Sequence, residues 1–361
     1  MQISIGTKIR KGPWGGGNLF AINLKNYLED KGHKVLNNLS EDDIDIILLT
    51  EPRKTSESSS FTHVDVLKYL TCVNNSSLVV HRINECDERK GTNFVNKFLI
   101  EANQVADSTI FVSTWLQNLF FQQGINKENC NVILSGANKE IFNNSNFIPW
   151  DGRNNLKIVT HHWGANWNKG FDIYSLLDKM LSDSKYSENI SFTYIGNVPK
   201  GFKFKNTKQV DPLEGKDLAS EIKKNNLYLT ASLNEPSGNH HIEAAQCGLP
   251  LLYIDSGGIP EYCKDFGISF NNLNFKSKLD EMIHEYTIYT DKVKKYSLNS
   301  EKMSKEYENL FIEMLSKRDD IINKRQTIKL NFLERFLYKS SRKIDKFFKN
   351  IYLKYFYYKT D

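Results

Sequence analysis

Residues 226–263 read NLYLTASLNEPSGNHHIEAAQCGLPLLYIDSGGIPEYC. The apolar run Leu227–Ala231 predicts a strand, and Ser232–Gly238 a polar loop. His240–Gln246 follows with helical spacing. Gly248 suits a left-handed cap and Pro250 cannot continue a helix, so the helix stops there. Leu251–Ile254 predicts a second strand. Gly257-Gly258 then leads into Ile259-Pro260-Glu261, where proline fits a first helical turn. Strand, loop, helix, repeated, is the unit of a parallel sheet with crossover helices.

The chemistry lies in the loop and the helix start. Glu235 sits in the loop, and Glu243 follows eight residues later on the helix. A helix N-terminus offers free N–H groups and about half a positive charge, which suits a phosphate. Gly238 allows close backbone approach to a ligand. Asn239 and His240 open the helix beside it. The Glu243 carboxylate accepts two hydrogen bonds at once, so it can clamp a diol such as ribose. Glu235 can then reach a second polyol.

With Gly248-Leu249-Pro250 and Gly257-Gly258-x-x-Glu261 behind them, Glu235, Gly238 and Glu243 resemble a known signature. It is the donor site of retaining glycosyltransferases of family four, the group 1 type. The resemblance covers roughly residues 1–318. It implies an α/β fold of GT-B architecture, two Rossmann-like parallel-sheet domains facing across a cleft. It implies sugar transfer from a nucleoside-diphosphate sugar to an acceptor hydroxyl, with retention of anomeric configuration. No Asp-x-Asp triad marks a metal site, and the family generally needs no metal or other cofactor.

Composition sets the frame. The chain has 361 residues, enough for two domains of ordinary size. Its hydrophobic share of 40% is that of a globular protein. Five cysteines (72, 86, 130, 247, 263) form no CxxC pair, which fits a reducing compartment. The N-terminus lacks an apolar signal core, and no run of 18 apolar residues occurs. A cytoplasmic location is therefore expected. Charge is uneven: residues 324–361 hold 11 Lys/Arg against 3 Asp/Glu, a balance of +8, so the rest carries −3. A generally basic nucleic-acid surface is not supported.

Taken in order, the chain opens with a strand at 2–6, the loop Gly12-Pro-Trp-Gly15-Gly16-Gly17, and a helix over Asn18–Lys31. The loop matches neither GxGxxG nor the Walker A spacing. By the resemblance, Gly16 and Gly17 approach the diphosphate or the transferred sugar. Asp43–Thr50 and Ser77–Val80 predict buried strands. The second leads into His81-Arg-Ile-Asn-Glu85-Cys-Asp87-Glu-Arg89, a polar cluster at a strand's C-terminal end, where ligands bind in such sheets. The resemblance puts a histidine here near the sugar and acceptor, making His81 a candidate catalytic residue. An Asn/Pro/Gly-rich stretch at 143–155 marks the domain boundary. The expected domains are 1–150 on the acceptor side, 151–318 on the donor side, and a tail from 319 to 361. Late helices, Glu301–Leu315 foremost, are expected to cross back to the first domain.

Leu156–His161 predicts the second domain's first strand, and Lys169-Gly170 precedes a helix. Lys169 is a natural phosphate counter-charge. The family usually has an arginine five residues earlier, where this chain has Gly164. His161, His162 or Asn166 could compensate. Gly196-Asn197 and the stretch near Val210-Asp211-Pro212 fall where the family holds the nucleobase. Lys169 and Glu235 complete the catalytic candidates with His81. The donor contacts are Gly16, Gly17, Lys169, Gly196, Glu235, Gly238, Asn239, His240 and Glu243.

The tail alternates basic residues with an apolar stripe at helical steps: Leu330, Leu333, Leu337, Ile344, Phe348, Ile351 and Tyr355. Such a helix can lie on an anionic membrane through residues 324–359 or dock on its own protein. The expected partners are a nucleotide-sugar donor and a surface-polysaccharide or lipid-linked glycan acceptor. Two other readings share the architecture: a non-catalytic nucleotide-sugar-binding module, and an epimerase or phosphorylase.

Overall fold

The computed structural model describes residues 1–10, 12, 15–325 and 332–352. Pro13 and Trp14 of the glycine-rich loop lie outside them. Six strands make the first sheet: β1 (Gln2–Ile5), β2 (Lys34–Leu36), β3 (Ile46–Leu49), β4 (Leu78–Ile83), β5 (Ser108–Phe111) and β6 (Cys130–Val132). Six make the second: β7 (Leu156–His162), β8 (Ile190–Gly196), β9 (Lys208–Val210), β10 (Leu227–Thr230), β11 (Leu251–Ile254) and β12 (Gly267–Phe270). Their orders are β2-β1-β3-β4-β5-β6 and β12-β11-β10-β7-β8-β9. All neighbours run parallel, and β3, β4, β10 and β11 are buried throughout because helices cover both faces.

Strand order reverses between β1 and β3 in one sheet and between β7 and β10 in the other. In open parallel sheets ligands bind at such points, outside the strands' carboxyl ends. The glycine-rich loop follows β1, Lys169 follows β7, and Glu235 follows β10. Sheet topology alone thus gathers the candidate residues.

The chain crosses between domains twice. Ala137 and Phe142 already pack into the second domain's core, ahead of the expected boundary. The helix Ser300–Ser316 returns to the first. Its Met303, Tyr307, Phe311 and Met314 share a core with Phe20, Ala21, Leu24 and Leu28 of the helix Gly16–Asp30. Two further contacts join the domains. The Glu261 carboxylate accepts the N–H groups of Thr114 (2.7 Å) and Trp115 (2.8 Å), capping the helix Thr114–Gln122. The Tyr262 hydroxyl donates to the Val112 carbonyl and accepts the Ser135 N–H at 3.0 Å.

The tail forms a helix over Phe332–Tyr352. Arg342 anchors it, donating to the carbonyls of Leu39, Ser40 and Glu41 and to the Asp42 carboxylate, with its guanidinium over the Tyr69 ring. Phe336, Leu337, Ile344 and Phe347 stay exposed. Leu330, Tyr355 and the side chains of Leu333, Phe348 and Ile351 lie outside the described residues. Among the described residues no helix is long and apolar enough to cross a membrane.

Phe311 is fully buried, although it lies far beyond the last strand of the sheet it covers, β6 at Cys130–Val132. Phe311→Ala should therefore destabilise the first domain by about 3–5 kcal/mol. Chemical denaturation followed by circular dichroism measures this, and a loss below 1 kcal/mol would show the helix to be peripheral.

Candidate active site

A cavity of about 950 Å³ lies between the domains. Gly15, Gly16, Gly17, Arg82 and Arg89 line it from the first domain. His161, Lys169, Gly196, Glu235, Gly238, Asn239, His240 and Glu243 line it from the second.

Its centre is a three-charge contact. Lys169 ends a 3-10 turn, Trp167–Lys169, and is buried. Its Nζ lies 2.5 Å from Glu235 Oε2. Arg89 reaches across from the first domain, with Nε 2.8 Å from Glu235 Oε1. Burial alone would raise the Glu235 carboxyl, yet Arg89 and Lys169 together hold it well below the usual carboxylate range. Burial pushes the Lys169 ammonium down, and Glu235 opposes that. All three groups remain charged.

Local structure fixes Arg89. Asp87 accepts the N–H groups of Phe94, Val95 and Asn96 and the Thr92 hydroxyl, so the one-turn helix Asp87–Lys90 is tied down. The second domain also holds that turn: Asn168 Nδ2 donates to the Arg89 carbonyl and Asn234 Nδ2 to that of Glu88. At Gly164, a Cβ would stand 3.5 Å from Lys169 Cε, so a side chain there would emerge beside the lysine. The second cation comes instead from the other domain. Sequence reasoning noted Arg89 only as part of a polar cluster, because nothing local ties residue 89 to residue 235.

Two helix N-termini face each other over this centre. The helix Gly16–Asp30 starts at Gly15 and the helix Asn239–Gln246 at Gly238, neither with a side-chain cap. The Asn239 amide lies 3.3 Å from where a Gly16 Cβ would be. Gly238 has φ +82°, and a Cβ there would meet the rings of His240 and His241 at 2.7 and 2.8 Å. Only glycine fits that turn. Gly196, at φ +131°, closes β8 so tightly on His162 that a Cβ would strike its carbonyl.

Around Glu243 stand four buried histidines. His161 Nε2 lies 2.8 Å from Glu243 Oε2 and orients that carboxylate. His240 shares a hydrogen bond with Thr230 Oγ1 (2.8 Å), and His162 with the Tyr174 hydroxyl (2.7 Å). Burial pushes His162 and His240 well down, and His241 to about 3.

One candidate is not brought to the cavity. The sequence pattern ends its strand near His81, but β4 runs on to Ile83. Side chains alternate along a strand, so His81 turns to the opposite face from the cleft. It is fully buried, with Nδ1 2.9 Å from Asn103 Oδ1, and burial pushes it down to about 4. Its neighbour Arg82 lines the cavity instead.

Residues 204–305 match the family model for group 1 glycosyl transferases, a span that includes Glu235, Gly238, Glu243 and Glu261. Solved structures align over nearly the whole chain. The fold is that of the GT-B glycosyltransferases. Anabaena HepE, crystallised with UDP and glucose, aligns with a TM-score of 0.62 at 14% identity, covering 87% of this chain and 100% of that one. The catalytic domain of Arabidopsis thaliana starch synthase IV, bound to ADP and acarbose, gives 0.66 at 11% identity, covering 87% and 99%. Sucrose-phosphate synthase from Thermosynechococcus elongatus gives 0.58 at 12%, covering 87% and 99%. No curated protein matches the chain significantly in sequence. Within this GT-B frame, the centre described above occupies the interdomain cleft.

Buried His81, His162, His240 and His241 set a pH dependence. Their folded pKa values lie below the unfolded value near 6.5, so the unfolded chain binds more protons between about pH 4 and 6.5. Stability is full above that window and falls as pH drops through it. Melting scans from pH 7.5 to 4.5 should show the midpoint decline steadily below pH 6.5. A flat profile would mean that the rings are solvated and protonate in place.

Proposed function

We propose that this protein is a retaining glycosyltransferase that moves a sugar from a nucleoside-diphosphate sugar to an acceptor hydroxyl. The observation that carries the reading is the convergence of Lys169 and Arg89 on Glu235, beneath two uncapped helix N-termini. Such a site suits a diphosphate leaving group. Its charge grows as the glycosidic bond breaks, so fixed cations and amides favour the transition state over the ground state.

The donor's diphosphate lies against the N-terminus of the helix Asn239–Gln246, with Lys169 and Arg89 as counter-charges. Glu243, oriented by His161, binds the ribose. The base lies along Gly196 and the loop near Pro212, both on the cavity wall. The transferred sugar lies toward Glu235. The acceptor oxygen attacks the anomeric carbon from the face the diphosphate leaves, the carbon–phosphate oxygen bond breaks, and the acceptor proton passes to the departing phosphate oxygen. A double displacement would need a free carboxylate nucleophile. Glu235 is instead held by two cations, which favours the front-face route. With the leaving-group charge met by side chains and amides, the reaction is expected to need no metal.

The tail supports a membrane location. One side of its helix grips the first domain through Arg342, while Phe336, Leu337, Ile344 and Phe347 face outward among basic residues. We propose a cytoplasmic enzyme lying peripherally on an anionic leaflet, with a lipid-linked or surface-polysaccharide acceptor. A binding module without turnover is the second reading, favoured by glycine at position 164.

A thermal-shift panel of UDP-, GDP- and ADP-sugars, followed by product analysis, separates these. Transfer with the anomeric configuration kept supports the enzyme; binding without turnover supports the module. Donor conversion without acceptor would indicate an epimerase, and a need for inorganic phosphate a phosphorylase.

Lys169→Ala should lower kcat by about 10²–10³ with little change in KM, and activity should persist in excess EDTA. A variant within threefold of the parent, or full loss with EDTA restored by Mn²⁺, contradicts the scheme.

Sedimentation with anionic and neutral vesicles tests the location. The full chain should pellet with anionic vesicles, and a chain ending at Arg325 should not. That end point keeps the Arg325–Asp107 ion pair intact. Equal behaviour of the two forms would assign the helix to packing.

A further inference from the structure

Two basic side chains are buried among the described residues, Lys169 and Arg82. Lys169 has the Glu235 carboxylate. Arg82 is 5% exposed and has no carboxylate partner among the described residues; its charged end lies over the Phe20 ring, with Cζ 3.9 Å from the centroid. The neighbours that favour its charge are the phenols of Tyr307 and Tyr262. Other arginines that anchor structure do have acids: Arg53 with Glu51 and Glu85, Arg318 with Asp45, Arg325 with Asp107, Arg342 with Asp42. Taking a guanidinium out of water without a counter-charge is costly, so a buried charge is normally paired or used.

The surroundings say which. Arg82 opens onto the interdomain cavity. Among the described residues the first-domain wall supplies Arg10, Arg82 and Arg89 and no Asp or Glu, whereas Glu214, Asp217, Glu235 and Glu243 all stand on the second-domain wall. Arg89 is taken by Glu235 and the donor's diphosphate, and Arg10 lies 3.8 Å from Glu57. The charge left for the acceptor is therefore that of Arg82, which has no acid beside it among the described residues.

We propose that Arg82 binds an anionic group, a phosphate or a carboxylate, carried by the acceptor. The inference rests on the transferase reading, because that reading gives the first-domain wall to the acceptor. A guanidinium takes either group through two parallel hydrogen bonds. The charge can come from the phosphate of a lipid carrier or from the carboxylate of an acidic sugar.

The test uses inorganic phosphate as the probe. The full chain, Arg82→Met and Lys169→Met are titrated by calorimetry and thermal shift, with and without the nucleoside diphosphate that binds best. Methionine keeps the volume and removes the charge. With nucleotide bound, the parent should still take up one phosphate. Arg82→Met should weaken that site more than about tenfold and leave nucleotide affinity unchanged, while Lys169→Met does the converse. Without ligand, Arg82→Met should melt no lower than the parent, since an unpaired buried charge is gone. Arg82→Gln, which keeps a polar contact with the tyrosines, gives the same readout if the methionine variant does not fold. Displacement of phosphate by farnesyl phosphate assigns a lipid-borne group, and displacement by glucuronate an acidic glycan.

Unchanged phosphate affinity in a folded Arg82 variant overturns the proposal, as does an equal loss of nucleotide affinity. Absence of nucleotide binding in the parent overturns the transferase reading instead, so the two failures are separable.

Discussion

One carboxylate between two cations organises this molecule. Glu235 belongs to the second domain, as does Lys169, but Arg89 belongs to the first. Burying the Glu235 and Lys169 charges beside a partly buried Arg89 is tolerable only when each is paired and the geometry is good. Neither domain alone meets that condition, so the contact ties the closed arrangement of the cleft to the electrostatics of the site. The balance is also uneven, with two positive groups to one negative. The surplus charge lies beneath two helix N-termini that are themselves positive. The centre thus carries a surplus of positive charge that an anion would offset.

The rest of the fold maintains this arrangement. Reversal of strand order places the segments after β7 and β10 side by side, which brings Lys169 to Glu235. Asp87 stiffens the one-turn helix that carries Arg89. Glu261 and Tyr262, one turn from the signature helix's neighbour strand, fasten the second domain to the helix and strand ends of the first. The histidine cluster contributes differently. The His162 and His240 rings are hydrogen-bonded and pushed toward the neutral form by burial, so they fill and shape the second-domain wall without adding charge that would compete with Lys169.

Much of this was legible in the sequence. Strand and helix periods, with Gly248 and Pro250 as stops, located β10, β11 and the helix between them to within a residue or two. Lys169 and Glu235 could be named because each lies in the segment that follows a clearly patterned strand, and Glu243 because it follows Glu235 by eight residues on the next helix. What failed did so for physical reasons. Ending β4 too early put His81 at the ligand edge, yet two more residues of strand turn it away and present Arg82. Arg89 could not be found because its partner is 146 positions distant and set by domain closure. The short strands β9 and β12 carry no distinct run; they form because the neighbouring strands β8 and β11 offer free edges.

Two separate features now favour a negatively charged partner, and they lie in different media. Arg82 is buried in the cleft wall, where ionic strength screens less than at the surface. The tail's eleven basic residues lie in a segment whose described part is mostly exposed, where screening acts within about 10 Å at 0.1 M salt. Salt therefore acts on the two unequally. Raising it from 0.05 to 0.5 M would release a tail held by surface charge and leave a buried ion contact largely in place. If membrane attachment and acceptor recognition were one event, both would fade together. If the tail delivers the enzyme to a surface and Arg82 reads the acceptor's charge inside the cleft, attachment fades first while recognition of a soluble anionic acceptor persists. The described contacts favour the second arrangement. Arg342 fixes the tail to residues 39–42, at the β2 edge of the first sheet, while Arg82 projects from β4 near its middle, so the proposed surface attachment and the proposed charge recognition would draw on different parts of the same domain.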